Sequence, residues 1–257
     1  MRVIPIPCLK DNYAYLVVCD DTQMAGVVDP AEAGVVLRAV DIEGVTLRAV
    51  FNTHHHPDHV GGVPELVKAI PNLEVYGHRV DKNRIDGFTR GVEMGDVLSL
   101  GNLKIEVIHN PGHTTGGVTY LVEGCAFTGD TLFGGGCGRL FEGTPETLFH
   151  SLTKVLGRLP DTTQVFFGHE YTEQNLKFAA QLEPDNEWIH QRLKQVEDTR
   201  KRGGITTPST LALEWATNPF MRCGNLEFIH RVQARDPTVE GRPEEVFTAI
   251  RKWKDRF

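Results

Sequence analysis

The sequence predicts an α/β (α+β) fold: a strand-rich first part followed by a smaller, mainly helical one. Three observations carry this. Short apolar runs of strand length, bounded by Gly, Asn and Asp, recur from the N-terminus to about residue 170. Beyond about residue 172, Thr172 to Leu182, Asn186 to Arg200 and Pro243 to Lys254 carry helical spacing, with few strand signals between them. Finally, several His and Asp residues stand at the ends of the apolar runs, as loop residues on a strand scaffold do. The boundary is placed between residues 172 and 173, giving domains 1–172 and 173–257.

Taken in order, Tyr13 to Val18 and Ala25 to Asp29 read as strands. Asp29-Pro30-Ala31 reads as a helix start, Asp29 capping and Pro30 at the first position, with Val35, Val36, Ala39 and Val40 as the buried stripe. Thr46 to Asn52 is a strand, and Val60-Gly-Gly-Val-Pro64 opens the next helix. Residues 74–77 form a short strand, and residues 78–95 are irregular. Val97 to Leu100 and Leu103 to Ile108 flank a Gly-Asn turn, and Val118 to Val122 and Ala126 to Phe127 flank Glu123-Gly124. A Gly-rich stretch, Thr131 to Gly143, leads to a capped helix start at Thr144-Pro145-Glu146. That helix ends near Gly157, and Gln164 to His169 is a buried strand.

Composition excludes several classes. No run of 18 apolar residues exists, so no membrane span is expected, and the N-terminus lacks the apolar stretch of a secretory signal. A net charge of −7 argues against a nucleic-acid-binding face. Five widely spaced cysteines without a CxxC suggest reduced thiols, and with them a cytoplasmic location.

The chemistry centres on Thr53-His54-His55-His56-Pro57-Asp58-His59, on a strand-to-helix loop. In extended backbone alternate residues share a side. His54, His56 and Asp58 can therefore converge, His55 points away, and His59 reaches in where the chain begins to coil. Imidazole with carboxylate suits zinc, iron or manganese rather than calcium or magnesium. His113, Asp130 and His169 each end a strand-like run, each with a Gly just before it. Five His and two Asp exceed one tetrahedral site and divide into two sets of three plus a bridging carboxylate. His78, His109, His150, His190 and His230 match no motif and read as structural or surface residues.

These motifs, in this order, resemble the metallo-β-lactamase superfamily: T-H-x-H-x-D-H, Pro111-Gly-His113-Thr, Thr128-Gly-Asp130-Thr and Gly168-His169-Glu. The resemblance implies an αββα sandwich for residues 1–172. It implies one divalent metal held by His54, His56 and His113, a second held by Asp58, His59 and His169, and Asp130 bridging them. Zinc is placed first, with iron or manganese compatible. Two metals about 3.5–4 Å apart can activate a shared water near neutral pH. Asp58 is expected to orient that bridging hydroxide as well as to bind metal.

Gly136-Cys-Gly-Arg-Leu-Phe-Glu-Gly143, Gly168-His-Glu-Tyr-Thr172, Asn218-Pro-Phe-Met-Arg222 and the terminal Lys254-Asp-Arg-Phe257 resemble the glyoxalase II, or hydroxyacylglutathione hydrolase, branch across essentially the whole chain. That resemblance implies hydrolysis of S-D-lactoylglutathione to D-lactate and glutathione, in methylglyoxal detoxification. Residues 173–257 then form a glutathione-binding domain. Arg251 and Lys254 would grip the glycine carboxylate, with Arg139, Phe141 and Tyr171 along the tripeptide's path. Arg139 stands where some members have Lys, and Phe141 where some have Tyr, which removes a hydroxyl. The expected partner is this small thioester, with no nucleic acid and no membrane, and the chain is expected to be a monomer. Rival readings are another hydrolase of the same fold, a persulfide dioxygenase, and a non-catalytic metal-binding protein.

Overall fold

A computed structural model describes residues 1–257. By its internal contacts the chain forms two compact units. The first comprises Met1–His109, Thr115–Gly129 and Phe167–His169; the second comprises Asn110–Thr114, Asp130–Phe166 and Glu170–Phe257.

The first unit contains β1 (Arg2–Cys8), β2 (Asn12–Val18), β3 (Met24–Val28), α1 (Ala33–Glu43), β4 (Thr46–Phe51), α2 (Pro57–Val60), α3 (Val63–Ala69), β5 (Glu74–His78), β6 (Arg90–Val92), β7 (Val97–Leu100), β8 (Leu103–His109), β9 (Val118–Val122) and β10 (Cys125–Gly129). Strands β1 to β6 form one sheet in sequence order, antiparallel through β3 and parallel from β3 to β6. Pro5 and Pro7 are tolerated because β1 is an edge strand, where a missing N–H breaks no ladder. Strands β7 to β10 form an antiparallel meander.

The apolar runs are continuous because the first sheet is covered on both faces. On one face, Ala14, Leu16, Val18, Val27 and Val50 pack with Val36, Val63 and Leu66 of α1 and α3. On the other, Tyr15 meets Phe127 and Phe51 meets Tyr120, with ring centroids 5.5 and 5.2 Å apart, joining the two sheets. Gly26 permits that approach: a Cβ there would lie 2.4 Å from Phe51.

The second unit contains β11 (Leu132–Phe133), β12 (Gly136–Cys137), α4 (Pro145–His150), β13 (Gln164–Phe167, all but its last residue), α5 (Thr172–Leu182), α6 (Glu187–Lys201), β14 (Ser209–Thr210), α7 (Leu211–Thr217), α8 (Leu226–Arg235) and α9 (Pro243–Lys254). Its core is aromatic: Phe149 packs on Phe247, Phe247 on Phe220, and Phe220 on Phe178. Side chains of Thr144, Asn186, Thr210 and Asn225 cap α4, α6, α7 and α8. Two of these helices, α7 and α8, are absent from the sequence reading, being short and set among turn residues. All five cysteines are free and buried, and no helix is long and apolar enough to cross a membrane.

Candidate metal centre

Strand β4 delivers Asn52 and Thr53, both buried, to the end of the first sheet, and the histidine loop follows directly. Within the first unit His54, His56, Asp58, His59 and His169 come together. His54 Nε2 lies 3.1 Å from His56 Nδ1, and His59 Nε2 lies 3.2 Å from His169 Nε2. Asp58 Oδ2 is 3.3 Å from His169 Nε2 and 3.8 Å from His59 Nε2. The one-turn helix α2 carries Asp58 and His59, so the chain coils one turn earlier than the Gly-Gly-Val-Pro signal indicated. His169 is held by backbone. Tyr13 N–H donates to the Gly168 carbonyl, Gly168 N–H donates to Gly129, and Asn12 bridges to His169.

What these side chains can bind follows from their outward partners. His59 Nδ1 lies 2.9 Å from Asp29 Oδ2, and His169 Nδ1 lies 3.0 Å from Asp11 Oδ1. A carboxylate only accepts, so each Nδ1 carries its proton and each Nε2 presents a lone pair. Two such lone pairs facing each other at 3.2 Å can share a cation. The same holds for His54. Thr53 Oγ donates to Asp29 (2.6 Å) and can accept from His54 Nδ1 (3.0 Å), which makes His54 Nε2 the acceptor nitrogen. The donor set fits metal ions.

The second unit holds His113 and Asp130 together, both buried, with Nε2 3.6 Å from Oδ2. His113 Nδ1 donates to the Arg139 carbonyl at 2.7 Å, so its Nε2 lone pair faces a carboxylate, again an arrangement that a cation satisfies. Gly138 makes room: a Cβ there would lie 2.8 Å from the His113 ring nitrogen.

The expected substrate residues are all in this second unit. Arg139 is exposed, and Phe141 is 64% exposed with its ring edge-on to His113 at 5.2 Å. Tyr171 packs against Phe133. Lys254 Nζ lies over the rings of Phe178 and Phe257 and donates to the Gln174 carbonyl at 3.2 Å. Burial, reinforced by the positive charges of Arg251 and Arg139, pushes the Lys254 ammonium down to about 8. Arg251 is 5% exposed; its guanidinium donates to the Cys137 carbonyl (3.0 Å) and to Asp255, and lies over Phe220.

Sequence reasoning did not find Asp11, Asn12 or Asp29 as parts of the centre. Asn12 Nδ2 donates to the Asp58 carbonyl and carboxylate. Asp29 is not the expected helix cap. Glu32 occupies that position, and Asp29, at a left-handed φ of 49°, turns its carboxylate to Thr53 and His59. An Asp-Pro after a strand has the same signature in either role. His55 lies apart from the donor set, 3.3 Å from Asp81, in keeping with its expected direction.

Residues 11–169 match the family described as the metallo-beta-lactamase superfamily, and residues 170–257 the one described as the hydroxyacylglutathione hydrolase C-terminus. The chain is 49% identical over 259 residues to the hydroxyacylglutathione hydrolase of Gloeobacter violaceus, covering all of both. This chain belongs to the metallo-β-lactamase superfamily, in its hydroxyacylglutathione hydrolase branch. Among solved structures of this superfamily fold, ETHE1 from Myxococcus xanthus superposes with a TM-score of 0.67 at 27% identity, covering 99% of this chain and 98% of that one. A di-iron-bound form of TTHA1623 gives 0.62 at 27% identity, covering 86% and 100%. The expected fold class is therefore borne out, and so are metal binding and metal-dependent hydrolysis as the class of activity.

Proposed function

We infer that the protein hydrolyses S-D-lactoylglutathione, and related S-2-hydroxyacylglutathiones, to the 2-hydroxy acid and glutathione. The observation that carries this is full-length identity of 43–49% to hydroxyacylglutathione hydrolases, together with clustered imidazoles and carboxylate of metal-ligating type. In this reading His54, His56 and His113 hold one metal and Asp58, His59 and His169 the other, with Asp130 shared. Zinc suits the imidazole-rich set, and iron or manganese would also be accepted. Bound metals would lower the pKa of a shared water toward neutrality and polarise the thioester carbonyl.

The chain's own residues do the rest. Asp29, Asp11, Thr53 and the Arg139 carbonyl fix the ring tautomers, so that His59, His169, His54 and His113 each present Nε2. Asp58, steadied by Asn12, orients the attacking oxygen through a hydrogen bond. The departing glutathione thiolate is a good leaving group, so no strong general acid is needed. Lys254 and Arg251 take the glycine carboxylate, Arg251 exchanging part of its contact with Asp255. Arg139 and Tyr171 line the tripeptide. Residues 1–172 then act as the catalytic domain and 173–257 as the glutathione-binding domain of a cytoplasmic monomer.

Metal analysis of protein purified without chelators, with an assay for thiol release from lactoylglutathione, tests this. Two metals per chain and turnover abolished by chelation are expected. Metal-replete protein that leaves the thioester intact would overturn it.

A further inference from the structure

The proposed reaction leaves unused the polar groups of residues 209–218, among them Glu214, the most deeply buried charge in the second unit. Glu214 is 0% exposed. Its Oε1 accepts from Arg192 at 2.6 Å and from Ser209 at 2.5 Å. Its Oε2 turns to the Gly-rich loop between β11 and β12, accepting from the Gly135 N–H at 2.8 Å and from Asn218 Nδ2 at 3.0 Å. Asn218 Nδ2 also donates to the Gly136 carbonyl at 2.9 Å. Asn175 donates to the Gly134 carbonyl at 3.1 Å, and Arg251 to that of Cys137 at 3.0 Å. Four successive residues, 134–137, are thus each held through the backbone by a side chain from the helical part of the chain. Two residues later the Arg139 carbonyl receives His113, and the Arg139 side chain leaves the loop.

The geometry demands glycine. Gly135 has φ +65°, and a Cβ at Gly136 would fall 2.4 Å from Asn175 Nδ2. A buried ion pair is a costly way to fill a core, and well-packed apolar side chains of similar volume often serve stability as well. What an apolar pair cannot do is accept two N–H groups on one side while its charge is balanced on the other. That is the arrangement at Glu214.

We propose that Glu214 is a positioning residue for glutathione recognition. With Arg192 as counter-ion and Asn218 as its extension, it fixes the 134–137 backbone, and so the direction in which Arg139 leaves toward the tripeptide. This rests on the reading of Arg139 as a glutathione contact.

The test uses metal-replete, full-length Glu214→Gln. Whichever way the amide turns, its NH2 faces either Arg192 or the Gly135 and Asn218 donors, so one side of the clamp is lost. KM for lactoylglutathione should rise about tenfold, since small misplacements of a binding group carry large costs. kcat and metal content should fall far less than KM rises, and a lactoyl thioester of a short thiol, which has no tripeptide, should be hydrolysed nearly as by the parent. Amide exchange at residues 135–138 should accelerate. Asn218→Ala, which leaves no buried charge unpaired, should move KM and exchange the same way by less, and it decides by the same criteria if Glu214→Gln does not fold. Unchanged KM and exchange in the folded variant would overturn the proposal, as would an equal loss on the short thioester. Parent protein inactive on lactoylglutathione would instead sink the functional reading itself.

Discussion

The two units handle charge in opposite ways. In the first, four imidazoles and three carboxylates, Asp11, Asp29 and Asp58, are gathered into one place, an acceptor-rich set that cations alone can neutralise. In the second, Arg139, Arg251 and Lys254 gather positive charge, and the two guanidiniums add to burial in lowering the Lys254 ammonium, with Arg251 and Lys254 set on aromatic rings and backbone carbonyls. In the proposed reading the first supplies most of the metal ligands, and the second supplies the groups that meet an anionic ligand. The difference also governs how each is anchored. In the first unit His59 and His169 are oriented by carboxylates, which fix a tautomer, whereas the loop that bears Arg139 is oriented through its main chain, which fixes a direction.

That contrast can be broken or sharpened, beginning with the largest effect. His59→Ala should lose one metal of two and lower kcat on the order of a thousandfold; metal stoichiometry with single-turnover kinetics reads both. Retention of two metals would break the picture of the first unit. Asp29→Asn keeps the shape but weakens the acceptor for His59 and Thr53. Metal affinity should fall about 10–100-fold. Asp11→Asn, at the more exposed His169 partner, should cost less, and competition with a chelator ranks the pair.

On the cationic side, Lys254→Met should raise KM by about tenfold with kcat little changed, since in the proposed reading the side chain meets the ligand and not the reacting atoms. The pH profile has a definite sign. The ammonium is depressed to about 8, so it is charged below that value and neutral above it. KM should be flat below pH 8 and climb as pH passes through it, and the climb should vanish in Lys254→Met. The smallest effect expected is for Phe141→Tyr. It restores a hydroxyl beside His113 on an exposed ring, and should lower KM only about two- to threefold.

Much of this was legible in the residues. Strand β4 and the ligands after it were readable because alternation and β-branched runs are local signals. The helices at Thr172–Leu182 and Pro243–Lys254 fell where their spacing indicated. The short helices α7 and α8 were not readable, since their packing on neighbours, rather than their own periodicity, sustains them. Nor was Asp29: a capping carboxylate and a carboxylate that orients a histidine 30 positions later share one local pattern.

Taken by itself, the sequence singled out the clustered His and Asp side chains and the metal-dependent class of chemistry, because donor type and close spacing are properties of the residues. The tertiary structure alone decided which nitrogen of each imidazole faces inward, and that Arg251 is buried against the Cys137 carbonyl. It also decided that Glu214 holds the glycine loop from 79 residues away. These are facts about which donors and acceptors meet across distant stretches of chain, and only folding brings them together.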